Sequence, residues 1–134
     1  MKRIYLDNNA TTPIHSEVLD AMLPYLKDEF GNPSSIHWAG RKPRKAIDDA
    51  REQVAKLLHA DASEVIFTSC GSEGNNLAIK GVAESKRDKG NHIITTKVEH
   101  PAVLGTCKYL AKTGFDVTFL DVDSQGMLDL DQLK

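Results

Sequence analysis

At 134 residues the chain is long enough for one domain or part of one. Hydrophobic residues make up 40% and charged residues 27%, an ordinary globular balance, and a net charge of −2 with scattered Lys and Arg excludes a nucleic-acid footprint. No apolar run reaches bilayer length and no secretory pattern follows Met1. No repeat is visible, and two cysteines are too few for a disulfide framework, so the expected setting is a reducing cytoplasm without membrane contact.

Ile4, Tyr5 and Leu6 form a short apolar run that ends in the turn-forming residues Asp7, Asn8 and Asn9. Val18, Leu19, Met22, Leu23 and Leu26 recur at helical spacing, with Ser16 as N-cap, Pro24 as an early stop or kink, and Gly31 closing the element. Residues 32–35 are loop chemistry, and 36–41 are poorly periodic. From Pro43, suited to a first helical position, Ile47, Ala50, Val54, Leu57 and Leu58 make one apolar stripe. Beyond residue 61 the pattern alternates. Strands are expected over 65–68, 92–96 and 116–122, and helices over 72–85 and from Pro101, the latter with Val103, Leu104, Cys107, Leu110 and Ala111 on one face. Gly126 turns the chain, and Asp129 with Gln132 resembles a capping box opening a further helix, so the chain looks cut there. This alternation implies an α/β fold with a mostly parallel sheet and flanking helices. Residues 1–60 would form an extended segment and helices, and 61–134 the start of the α/β domain.

Residues 65–76 (VIFTSCGSEGNN) carry the most chemistry. An apolar β-branched run passes through Gly71 into a helix-like pattern beginning at Ser72. Unpaired amides and a positive dipole end favour an anion there, most often a phosphate. Gly71 and Gly74 are too close for a Walker loop, and G-x-G-x-x-G is absent. Taken alone, the segment fits a plain strand-to-helix turn equally well. His15, His59 and His92 show no metal-ligand spacing with the cysteines, so no metal site is expected. Cys70 sits at a helix start that would lower a thiol pKa, whereas Cys107 falls on an apolar stripe and reads as core.

Four segments together resemble cysteine desulfurases of the NifS/IscS type, within the class-V aminotransferases. They are residues 5–13 (YLDNNATTP), 30–37 (FGNPSSIH), 67–81 (FTSCGSEGNNLAIKG) and 98–104 (VEHPAVL). The resemblance covers the whole chain but only about the first third of such proteins. It implies the N-terminal part of the large domain of a transferase of the aspartate-aminotransferase fold (type I), dependent on pyridoxal 5′-phosphate. Gly71 and Ser72 would hold the cofactor phosphate, Ser72 standing where the family commonly has threonine. His100 would lie over the cofactor ring and assist proton transfer; as a residue alone it fits a helix N-cap before Pro101 as well. Asn8 and Asn9 would line the substrate side, or form an ordinary turn. His37, though in a signature, suits a structural hydrogen bond. Cys70 departs from the family's usual glycine and reads as a small turn residue.

The resemblance further implies conversion of L-cysteine to L-alanine with sulfur retained as an enzyme persulfide for iron–sulfur cluster assembly. It also implies a homodimer and a scaffold or sulfur-acceptor partner. The Schiff-base lysine, the carboxylate facing the pyridine nitrogen and the persulfide cysteine would lie beyond residue 134, with Lys80 and Lys97 left as solvated charges. The chain alone is therefore expected to be inactive, and stable only with its remaining sequence. Alternatives are a selenocysteine lyase or other class-V aminotransferase, and a non-catalytic binding or dimerisation module.

Overall fold

A computed structural model describes residues 3–133. The chain divides into two units, Met1–Ile66 and Phe67–Lys134.

In the first unit, helix α1 spans Ser16–Lys27 and helix α2 spans Trp38–Leu58. The N-cap of α1 is His15 rather than Ser16; its side chain makes no capping bond, and its carbonyl accepts from Leu19 N–H at 3.0 Å. Pro24 does not stop the helix. A proline there removes one N–H from the ladder, and the amides of Asp28 and Glu29 both close on the Pro24 carbonyl at 2.9 Å to end the helix before Gly31.

Helix α2 starts earlier than its apolar stripe suggests, at Trp38, and carries Pro43 inside it. Pro43 cannot donate to the Ala39 carbonyl, and the chain fills that gap with backbone. A Cβ on Gly31 would stand 2.0 Å from Ala39 O, and one on Gly40 would stand 2.3 Å from Ser35 O. Glycine at 31 and 40 thus lets the 31–35 loop lie directly on the first turns of α2. Asn32 shapes that loop, its Oδ1 accepting from Ser34 N–H at 2.8 Å and its carbonyl from Ser35 N–H at 2.9 Å. Lys42 donates to Glu29 across the same junction. The helix ends in left-handed His59 (φ 53°), with Ala60 N–H reaching back to Ala55 O at 2.9 Å. A capping box that the sequence pattern had not suggested follows: Asp61 and Glu64 satisfy each other's backbone around a 3-10 turn, Ala62–Glu64.

Residues 65–68 do not form the expected strand. Val65 is extended (φ −95°, ψ 118°), yet no strand among the described residues pairs with this segment. Apolar β-branched residues favour extension, but a strand also requires a hydrogen-bonded neighbour.

The second unit contains helix α3 (Gly71–Ser85), strand β1 (His92–Thr96), helix α4 (Pro101–Lys112) and strand β2 (Asp116–Leu120). The strands pair in parallel from His92↔Asp116 to Thr96↔Leu120, joined through α4. The third predicted strand ends two residues early; Val122 instead bridges Leu128 antiparallel across a turn in which Gly126 takes φ 81°. Asp129 caps a 3-10 turn rather than an α-helix, its Oδ1 accepting from Asp131 N–H at 3.0 Å. The core joins α4 to the sheet through Cys107, Leu110, Phe115 and Leu120. On α4 the inner face includes Thr106, whose hydroxyl donates to Ala102 O, while Ala111 is exposed. Many large apolar side chains stand uncovered, Ile36 at 92% and Trp38 at 84%.

Leu110, completely buried, and Gly40, pressed against two loop carbonyls, are the tightest tests of these two packings. Leu110→Ala is expected to lower stability by about 2–5 kcal/mol and Gly40→Ala by about 1–3 kcal/mol. Both are read from urea midpoints of the full-length protein at unchanged m-value.

Candidate functional site: the N-termini of α3 and α4

Cys70 is extended (φ −164°, ψ 168°), and the helix begins with the next residue. A helix leaves its first-turn N–H groups without intrahelical acceptors. Here the Cys70 carbonyl accepts from Gly74 N–H at 3.1 Å and from the Thr68 hydroxyl at 3.3 Å, while no capping side chain takes the amides of Gly71 or Ser72. A Cβ on Gly71 would meet nothing within 4 Å. The backbone there is open to a ligand, and the exposed Ser72 contributes a hydroxyl beside it.

The acidic residue of this turn is held back from the open amides. Glu73 Oε2 accepts from Ser69 N–H at 2.7 Å and from the Ser69 hydroxyl at 2.5 Å. Those two bonds, the hydroxyl's first, hold the Glu73 carboxyl below the usual carboxylate range. The sequence pattern did not reveal this pair. Its signal was a Glu three positions after the N-cap, obscured because cysteine is a poor capping residue.

Cys70 also feels the helix start. The backbone N–H of Glu73, then the Ser69 hydroxyl and the Ser72 N–H, hold its thiol below the ordinary value. Cys107 is its opposite: 1% exposed, with burial pushing the thiol up.

His100 is the N-cap of α4, with Pro101 beginning the helix. Its Nδ1 accepts from Ala102 N–H at 3.1 Å, so the neutral ring carries its proton on Nε2. The ring is exposed, and the cap leaves Nε2 available.

The packing of the helices brings the two N-termini to one end. Helix α3 packs on α4. Lys80 Nζ lies 4.7 Å from the Tyr109 ring centroid, and beyond the helix ends Arg87 donates to Thr113 O at 3.0 Å. The two helices therefore run in the same direction. The run back from Lys80 to Ser72 equals that from Tyr109 to Pro101, about 12 Å at the helical rise. Ser72 and Pro101 consequently lie at the same end of the helix pair. This is the end where β1 and β2 terminate, the usual ligand crevice of an open α/β sheet.

Gly71, Ser72 and His100 thus belong to one unit and one end of it. Asn8 and Asn9 belong to the other unit, exposed in a turn closed by Ala10 N–H on Asp7 O at 3.1 Å. His37 makes its hydrogen bond through its carbonyl, which accepts from Gly40 N–H, rather than through its ring. Neither lysine singled out from the sequence is merely solvated: Lys80 faces Tyr109, and Lys97 Nζ pairs with Asp121 at 2.7 Å. Among the described residues no His/Cys/Asp/Glu group has metal-binding arrangement, and no helix is long and apolar enough to cross a membrane.

The sequence pattern of the class-V aminotransferases matches residues 4–134, and the chain belongs to that family. Within it, the chain is 58% identical over 135 residues to "Cysteine desulfurase IscS" of Dictyoglomus turgidum, covering 100% of this chain and 34% of that protein. It is also 58% identical over 134 residues to "Cysteine desulfurase 2" of Trichormus variabilis, covering 100% and 33%. A solved "NifS-like protein" superposes with TM-score 0.88 at 44% identity, over 98% of this chain and 36% of that one. "SspA in complex with cysteine" superposes with TM-score 0.81 at 44% identity, over 92% and 36%. The parallel α/β sheet with flanking helices expected from the sequence is the fold shared with these structures. The chain spans about a third of the length of the relatives it matches.

The two thiols separate the exposed helix start from the core. Iodoacetamide is expected to modify Cys70 in the native protein, with a rate that falls only as pH drops through a value below that of free cysteine. Cys107 should react only after unfolding. Peptide mass spectrometry reads both; equal labelling of the native protein would contradict this assignment.

Proposed function

We propose that this chain is the amino-terminal part of a pyridoxal-5′-phosphate-dependent cysteine desulfurase. The enzyme takes L-cysteine and one enzyme thiol to L-alanine and one enzyme persulfide, which supplies sulfur for iron–sulfur cluster assembly. The observation that carries this reading is the open start of α3 at the same end of the unit as the His100 cap, in a chain 58% identical to relatives named cysteine desulfurase.

The residues present fit the cofactor. A phosphate ester needs convergent donors and no competing anion. The amides of Gly71 and Ser72 have no capping side chain, Ser72 adds a hydroxyl, and the first-turn carboxylate of Glu73 is tied to Ser69. Pyridoxal phosphate, when bound, supplies the electron sink that lets bonds at the amino-acid carbon break. Gly71 and Ser72 would bind and orient it by its phosphate. His100 would cover the ring and move a proton at Nε2, because Nδ1 is committed to the Ala102 amide. Asn8 and Asn9 would face the substrate. The sulfur-accepting thiol is assigned to neither Cys107, which is buried, nor Cys70, which sits at the phosphate position. That thiol and the lysine that holds the cofactor belong to the longer polypeptide.

The uncovered apolar side chains of both units support a longer polypeptide and a second subunit as their covering. A cytoplasmic location, a homodimer and a scaffold or sulfur-acceptor protein complete the reading.

The full-length protein is expected to release sulfide from L-cysteine in the presence of a reducing thiol, with one L-alanine formed per sulfide. His100→Asn separates chemistry from capping, since asparagine is a good N-cap without an imidazole. It should keep the fold and lower turnover by about a hundredfold or more. Sulfide without alanine, or His100→Asn at wild-type turnover, would contradict the proposal.

A further inference from the structure

Glutamate early in a helix ordinarily stabilises that helix's own N-terminus, through the dipole or by accepting from the N-cap amide. Glu73 does something different. Both of its hydrogen bonds run one residue behind the N-cap, to the amide and the hydroxyl of Ser69, and both fall on Oε2. The link closes a ring across Cys70, whose extended backbone sets the direction of the amides that follow. Thr68 adds a second tie by donating to the Cys70 carbonyl.

Two effects follow. The turn over 69–72 is held in one form, with the amides of Gly71 and Ser72 left open. A negative charge near the helix start is also engaged with two donors of its own. Released, that carboxylate would be a tethered anion beside the same amides, competing with any phosphate.

We propose that Glu73 is a positioning residue for the cofactor phosphate, acting through Ser69 to keep the Gly71 and Ser72 amides available. The inference rests on the reading that this helix start takes pyridoxal phosphate. It adds that the strength of that grip is set by a side chain that does not touch the phosphate.

The test uses the full-length protein freed of cofactor and compares its affinity for pyridoxal phosphate with that for pyridoxal, which lacks the phosphate. Glu73→Ala is expected to weaken the phosphate ester about tenfold, the scale of a lost charged hydrogen bond, with pyridoxal unchanged. Glu73→Gln retains an oxygen that accepts from Ser69 and removes the charge. It should recover to within about threefold of wild type. Ser69→Ala, which removes only the hydroxyl bond, should give a smaller loss of the same ratio and serves if Glu73→Ala does not fold. Equal weakening of both ligands, an unchanged ratio, or a Glu73→Gln loss as large as that of Glu73→Ala would overturn the proposal. A wild-type protein that binds the two ligands equally well would overturn the phosphate reading itself, and this inference with it.

Discussion

The site depends on a shortage of acceptors. A helix that starts cleanly after an extended residue presents amides that nothing in the helix can satisfy. Most helices in proteins spend those donors on a Ser, Thr, Asp or Asn cap. At the start of α3 the capping position is Cys70, a weak acceptor, and the first-turn carboxylate of Glu73 is bound to Ser69. The amides of Gly71 and Ser72 are thereby left without a capping side chain, and the dipole at that helix start favours an anion.

The second helix start obeys the opposite rule. At α4 the cap is made by the imidazole of His100, and Pro101 needs no acceptor because it has no N–H. Capping fixes the ring's tautomer and limits its rotation, so one residue both begins the helix and presents Nε2–H at a defined place. The parallel packing of α3 and α4, anchored at Lys80 with Tyr109 and at Arg87 with Thr113, carries both N-termini to the same end of the unit. The buried side chains of α4 therefore matter to the site indirectly, because they hold the helix that carries His100 against the sheet.

The second unit was largely legible in the sequence because its elements find their partners nearby. HIITT and DVTFL pair with each other across a single helix, and Pro101 marks that helix's start. Residues 65–68 had the same β-branched composition and did not become a strand, since composition encodes extension but not the presence of a neighbour. Pro43 read as a first helical position and Gly40 as part of a poorly periodic stretch, yet α2 runs through both, because backbone from the 31–35 loop occupies the space that a side chain and an N–H would have needed. Of the candidate site, Gly71, Ser72 and His100 were visible as residue types at helix starts. The Ser69–Glu73 link was not, because it depends on which rotamer a glutamate adopts rather than on spacing.

Hydrogen exchange of the full-length protein, with and without pyridoxal phosphate, reads the Gly71 and Ser72 amides themselves. Bound ligand is expected to slow exchange in the peptide covering residues 69–74. Protection elsewhere, with that peptide exchanging as fast as in the free protein, would contradict the phosphate reading.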